Sequence, residues 1–437
     1  MSAPTKPISV ELMATLDEKN LRSSIEFTAA HIGAIMVIDA APLLTEDGRI
    51  DRPRVLRAFD RAIAKVPEFS KRMIPAPLGL TAAVWVPDES FDIARHVYIV
   101  DEVTPLEDRT LRRLAGFERD LLDRRLPLWD ATVTLLDNGQ IAVGVRLHHV
   151  VGDAKWAFDT LTLLTEEELS VDDGTPPLHA RDTGRAPRTR LLLPLRVLRD
   201  WWREQPSLRA AWAEYSRKPV KKRISRMVGR NIRWYKEWVI RRRNLAAQYL
   251  PPNRSAFFSI SRSSAEAAAS SLGGSLTDLI VAALLTAVDD DDRGRDALVP
   301  VTRRVKGDRS VRNDVSVLRV HVPPAASAAE MVKAVRRQIR LYVVGSSAGE
   351  QPEGRKVGYA TYLPWSQTPR FLLGSPMREF IAFPAVDPRD EMSAFALTYA
   401  DRFVVTVTGR AEFDVSGTAE AVRAVTEGAL RPVEAQA

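Results

Sequence analysis

Cysteine is absent from the 437 residues, which excludes disulfides, cysteine–zinc sites and a thiolate nucleophile. Long apolar runs are missing too. A bilayer span needs ~18 consecutive apolar residues, and none is found. His31–Leu44 is broken by Asp39, and Leu276–Val288 carries Asp278. The first 20 residues lack the charged-then-apolar order of a signal peptide. The expectation is a soluble or surface-associated protein of the cytoplasm. With 45% hydrophobic and 27% charged residues the chain is neither disordered nor fibrous, and its length suits two to four folding units.

The net charge of +7 is unevenly spread. Residues 185–243 hold 19 Lys and Arg against four acids, so the rest of the chain is mildly acidic. Three parts follow: an N-terminal α/β lobe over 1–180, a basic connector over 181–250, and a C-terminal α/β lobe over 251–437. In the first, Val55, Phe59, Ile63 and Val66 space out an amphipathic helix over Pro53–Val66, and Thr110–Leu122 reads similarly. Thr81–Val86 and His96–Val100 read as extended. Ala131–Leu136 and Gln140–His149 flank Asp137-Asn138-Gly139, a tight-hairpin signal, because Asn and Gly tolerate positive φ. Ala154–Leu169 is helical. In the last part, helices are expected over Leu276–Val288, Ala328–Val344 and near Thr418–Leu430, and strands over Ala297–Val301, Val315–Val322 and Phe403–Thr408.

Chemistry concentrates where the hairpin's second strand ends. Ile141, Val143, Val145 and Leu147 share one strand face, and His149 continues that row while His148 points the other way. Adjacent histidines on opposite faces are poor joint metal ligands, and no metal site is expected. His149 reads either as a packed core histidine or as a cleft residue. Its place at a strand end, just before a helix, favours the cleft. Asp153 opens that helix, as an N-cap and as a carboxylate that holds the backbone around the histidine.

His148-His149-Val150-Val151-Gly152-Asp153 is similar to the HHxxxD motif of the coenzyme A-dependent acyltransferase superfamily, which includes peptide-synthetase condensation domains. The surroundings resemble the bacterial wax ester synthase/diacylglycerol acyltransferase family. His31-Ile32-Gly33 before an apolar strand resembles its start, and Pro127-Leu128-Trp129 its PLW element. Ser275–Leu279 resembles its Asn-Asp helix, Val299–Arg304 its PVxxR strand, and Arg312–Ser316 its GN-x-VS segment. The chain departs from the pattern at Ala154, Thr277 and Arg312, where the family usually has Gly, Asn and Gly. The resemblance implies two chloramphenicol-acetyltransferase-like lobes, mixed α and β, with an interlobe tunnel. It also implies acyl transfer from acyl-CoA, as co-substrate and with no other cofactor, to a long-chain alcohol or diacylglycerol.

An alcohol attacking a thioester must lose a proton, and an imidazole with an ordinary pKa near ~6.5 suits that at neutral pH. His149 is the expected base, beside His148. Asp153 by resemblance is structural, paired with Arg304 of the second lobe, although a strand-end arginine is also commonly a surface residue. Asn313 is expected to hold the site or touch the reacting carbonyl, and Gly152 supports the turn. Two alternatives stay open: a natural-product acyltransferase using a CoA or carrier-protein thioester, and a non-catalytic lipid-binding protein on the same fold.

Gly345-Ser346-Ser347-Ala348-Gly349 matches a hydrolase elbow but follows a helix rather than a strand. Asp289–Asp292 lacks the alternate spacing of a calcium loop. The basic connector carries Trp201, Trp202, Trp212, Trp234 and Trp238 among helically spaced apolar residues. It suits an anionic membrane surface at the inner face of the cell membrane, packing on the lobes, or an acidic acyl carrier protein. Nucleic acid is not expected, because no recognition motif accompanies the charge.

Overall fold

A computed structural model describes residues 11–13, 17, 31–74, 83–115, 122–169, 253–288, 292–304, 313–345, 353–384 and 390–428. The connector 181–250 lies outside the described residues. The first lobe is organised on the hairpin. Strand β6 (Trp129–Leu136) and strand β7 (Gln140–His148) pair antiparallel, with Leu135 opposite Ile141. In the loop only Gly139 adopts a positive φ, of 77°. Asn138 instead stays in the ordinary region, and its side-chain oxygen accepts from Gln140 N at 3.1 Å. That is the economy of a three-residue hairpin loop, in which a single left-handed glycine closes the turn.

Beside a small three-stranded sheet of β1 (Glu11–Leu12), β4 (Val84–Pro87) and β3 (Lys71–Ile74), the main sheet extends on both sides of the hairpin. Strand β2 (His31–Asp39) pairs antiparallel with β7, and strand β5 (Val97–Thr104) pairs parallel with β6. Helix α1 (Arg52–Ala64) is capped by the Asp51 carboxylate on Arg54 N at 2.9 Å and buries Val55, Phe59 and Ile63. Helix α2 is shorter than its spacing suggests, Asp108–Leu114, and residues 116–121 lie outside the described set. Helix α3 (Ala154–Leu164) also stops early. Thr165 turns extended, and Glu166 forms a bridge with Phe371, so the residues expected to continue the helix are drawn into sheet contacts.

The second lobe has its own six-stranded sheet and core. Its strands are β8 (Asn253–Ser261), β9 (Arg295–Thr302), β10 (Val315–Val322), β11 (Arg355–Pro364), β14 (Met392–Tyr399) and β15 (Arg402–Arg410), in the order β10-β9-β11-β14-β15-β8. Helices α4 (Arg262–Ser271), α5 (Leu276–Thr286), α6 (Ala328–Val343) and α7 (Val415–Thr426) belong to it. Helix α5 is buried along almost its whole length, from Leu276 to Leu285. Together α4 and α5 are long and apolar enough to span a membrane, but they bend by 80°, and α5 is the centre of this core. No single helix among the described residues is long and apolar enough to cross a membrane.

The chain does not respect a lobe boundary at 250. Between β11 and β14 it leaves the second sheet, and β12 (Phe371–Leu372) and β13 (Ser375–Ala382) join the first, giving the order β12-β13-β2-β7-β6-β5. Phe380 of β13 stands opposite Met36 of β2, and both are buried. Gly345 follows helix α6 with a φ of 76°, so the GxSxG stretch begins at a helix end; residues 346–350 lie outside the described set. The first three acids of Asp289–Asp292 do so too.

Candidate functional site

The alternation of β7 carries the site. Val143, Val145 and Leu147 point into one cavity of about 530 Å³, and His149, just past the strand end, borders it as the next member of the row. This volume falls within the range of small-molecule pockets, roughly 300–1,000 Å³. Its walls come from both lobes. Phe59 and Ile63 of α1, Trp156, Ala157 and Leu161 of α3, and Phe380 of β13 give an apolar arm inside the first lobe. Pro300, Val315, Val317, Tyr359 and Phe395 close it from the second.

His148 faces the other way. It stands opposite His31 across the β2–β7 ladder, with ring centroids 5.7 Å apart. Its Nδ1 accepts from Val150 N at 3.2 Å, so this ring shapes the turn after the strand. Burial holds its pKa well below the usual histidine value, and the neighbouring His31 and Arg124 push in the same direction. The His149 pKa is lowered too, chiefly by burial, against the upward pull of its own backbone carbonyl, Asp153 and Asn313. Its Nδ1 is buried without a hydrogen-bond partner, which leaves Nε2 as the nitrogen available to a ligand. At neutral pH this imidazole is uncharged and can accept a proton. Among the described residues no group of three or more His, Asp or Glu side chains could hold a metal ion.

Helix α3 begins immediately afterwards. Asp153, 1% exposed, is its N-cap: one oxygen accepts from Trp156 N at 2.9 Å. The other accepts from Arg304 Nε at 2.7 Å and from Asp314 N at 3.0 Å. The Asp153 and Arg304 side chains are each only 2% exposed, so this is a buried ion pair between the lobes and not a surface arginine. Gly152 is glycine for lack of room, since a Cβ there would sit 2.6 Å from the Trp156 ring. Ala154, the departure next to the motif aspartate, borders the cavity.

Asn313 ties the second lobe to the histidine itself. Its Nδ2 donates to the His149 carbonyl at 2.5 Å. The same nitrogen donates to Asp17 Oδ1 at 2.5 Å, and its backbone N–H donates to both Asp17 oxygens at 3.1 and 3.2 Å. Both N–H groups of the amide are therefore committed to protein acceptors, and Asn313 has none left to offer a reacting carbonyl. Asp17 was not legible from the sequence, where Asp17-Glu18-Lys19-Asn20 reads as an ordinary charged stretch. It is fully buried, and burial raises its pKa to about 6.

Comparison with known proteins agrees with this geometry. Residues 13–218 match a sequence model of the wax ester synthase/diacylglycerol acyltransferase catalytic domain. A probable diacylglycerol O-acyltransferase of Mycobacterium tuberculosis is 31% identical over 142 residues, 32% of this chain and 29% of that protein. A putative diacylglycerol O-acyltransferase of the same species is 34% identical over 113 residues, 25% of this chain and 24% of that protein. The matched stretches thus span less than a third of these relatives. Among solved structures, the wax ester synthase/diacylglycerol acyltransferase from Marinobacter aquaeolei VT8 superposes with a TM-score of 0.60 at 16% identity, over 96% of this chain and 98% of that one. The first condensation domain of the CDA synthetase gives 0.57 at 15% identity, over 97% of each chain. At these identities the structures establish the two-lobed fold.

Proposed function

We propose that this chain, whose residues 13–218 match the wax ester synthase/diacylglycerol acyltransferase catalytic domain, is an acyltransferase of that family and moves an acyl group from acyl-CoA to the hydroxyl of a long-chain alcohol or diacylglycerol, with His149 as general base. The observation that carries this reading is the uncharged His149 imidazole, at the end of the strand whose apolar row lines a cavity built by both lobes.

The acyl chain lies in the apolar arm between α1 and α3. The acceptor hydroxyl attacks the thioester carbonyl carbon as His149 Nε2 takes its proton, so no alkoxide forms free in solution. The tetrahedral intermediate then collapses, the carbon–sulfur bond breaks, and the imidazolium returns the proton to the leaving thiolate. Direct transfer needs no acyl-enzyme, and the chain has no cysteine to form the commonest one. Asp153, Arg304 and Asn313 act on the backbone that carries the base.

The test is incubation of purified protein with a panel of acyl-CoAs and hydroxyl acceptors, reading free thiol and ester together. One ester per thiol is expected, and His149→Ala is expected to lose ~10²–10⁴-fold in rate while remaining folded. Thiol without ester indicates hydrolysis instead, and ester formation at the wild-type rate in His149→Ala rejects the base.

A further inference from the structure

The apolar row that leads to His149 also shows where the cavity stops. Strands β7, β2 and β13 lie side by side, and their cavity-facing residues form rungs across the sheet. The first rung behind His149 is Leu147 opposite Ile32. The second is Val145, Ala34 and Ala382, and the third is Val143, Met36 and Phe380. All of these border the cavity. The next rung, Ile141 opposite Ile38, does not, and both residues are fully buried in the first-lobe core.

Exposure falls along the rungs in step. Ile32, Ala34 and Val145 are half-buried, whereas Val143, Met36 and Phe380 are at most 1% exposed. The second rung keeps its space with two alanines, and the third fills it with a methionine and a phenylalanine. The arm is therefore blind at this end. Its length follows from the strand. From His149 to Val143 the chain advances six residues, about 20 Å at ~3.3 Å each. An extended polypeptide covers ~3.6 Å in three skeletal bonds, or ~1.2 Å per bond, and an extended alkyl chain has a similar zigzag. The arm thus accommodates about 16 carbons.

We propose that the rung of Val143, Met36 and Phe380 is a ruler that limits the substrate to straight acyl chains of about 16 carbons. The inference rests on the acyl chain occupying this arm, and it adds what ends the arm. Each methylene seated before the ruler leaves water for an apolar wall, a gain of about fourfold in affinity. A carbon beyond it must displace packed core side chains or fold back, and gains nothing.

The experiment titrates full-length protein with straight-chain fatty acids of about 10 to 20 carbons, each displacing a fluorescent fatty acid, so that length is read without turnover. In wild type the affinity is expected to climb about fourfold per carbon and to level off near ~16 carbons. Val143→Phe is expected to lower that break by about two carbons or more, and Val145→Phe, one rung nearer His149, by about five more. Met36→Ala, which empties space at the closed end, is expected to raise it. In parallel, kcat/KM for acyl-CoAs of the same lengths, with one long-chain alcohol, is expected to break at the same carbon. A wild-type affinity that climbs through the longest chain overturns the ruler. So does a break that stays in place in whichever of the three variants fold, or a loss that is equal at every length. If the break is seen and no acyl-CoA turns over, the acyltransfer reading fails and the ruler stands. If acyl-CoAs turn over with no break in length, the ruler fails and acyl transfer stands.

Discussion

Replacing Asp153 by Asn separates two jobs that one carboxylate performs. Asn keeps an acceptor oxygen for Trp156 N, so the helix cap, worth about 0.5–2 kcal/mol, survives. What is lost is the negative charge on the other side, where Arg304 Nε and Asp314 N both donate. An amide NH₂ placed there faces two donors and satisfies neither. Breaking a buried ion pair by removing one partner costs roughly 3–5 kcal/mol, since the other charge stays out of water. With both side chains 2% exposed, the full range applies and bulk salt screens little of it. Arg304→Met should cost less, because Asp153 retains its two backbone N–H donors. The double variant removes the uncompensated charge and should lose less than the sum of the single losses, with a coupling of about 0.5–3 kcal/mol. Urea unfolding followed by tryptophan fluorescence, on all four proteins at pH 7 and again in 1 M salt, measures this. An Asp153→Asn loss below about 1 kcal/mol, or strict additivity, would refute the reasoning that the pair is a buried interlobe tie.

Two further outcomes follow from the same turn. Gly152→Ala drives a methyl group to 2.6 Å from the Trp156 ring and should cost about 1–3 kcal/mol as overpacking, with a fall in turnover because the displaced ring borders the cavity; an unchanged melting point counts against the close fit. Because burial lowers the His149 pKa below 6.5, the base form predominates at neutral pH. The rate should be level from pH 7 to 8 and fall only as acid protonates the imidazole; an acid limb centred above pH 7 contradicts the assignment.

Much of the first lobe was readable because its signals are local. The period-two run from Ile141 to Leu147 needed no knowledge of the rest of the chain to put His149 in line with the apolar row and His148 against it. The Arg304 partnership came from resemblance, since nothing local links residues 151 positions apart, and the same is true of Asn313. Sequence spacing failed where tertiary contacts outcompete helix propensity. Helix α3 ends at Leu164 because residue 166 bridges to Phe371, and β12 and β13 cross to the first sheet although β11 before them and β14 after them belong to the second. Asp17 was illegible for a related reason: a lone acid in a charged stretch is tied to the site only through a partner 296 residues away.

The crossover bears on why a single histidine can hold its place. Helix α3, which begins five residues after His149, is gripped by the second half of the chain at both ends. At its start, Asp153 takes Arg304 and the Asp314 N–H. At its finish, the buried Arg370 guanidinium donates to the carbonyls of Thr162 and Thr165 at 2.9 and 3.0 Å and to Thr165 Oγ1 at 2.8 Å, occupying acceptors that a helix end otherwise leaves to water. Trp365 Nε1 adds a bond to Thr162 Oγ1, and its ring stacks on Tyr399. A helix pinned at only one end could pivot and carry the turn at 149–153 with it. Pinned at both, it fixes the imidazole against a cavity whose walls the same crossover strand completes through Phe380, so the imidazole and the apolar arm keep a constant relation to each other.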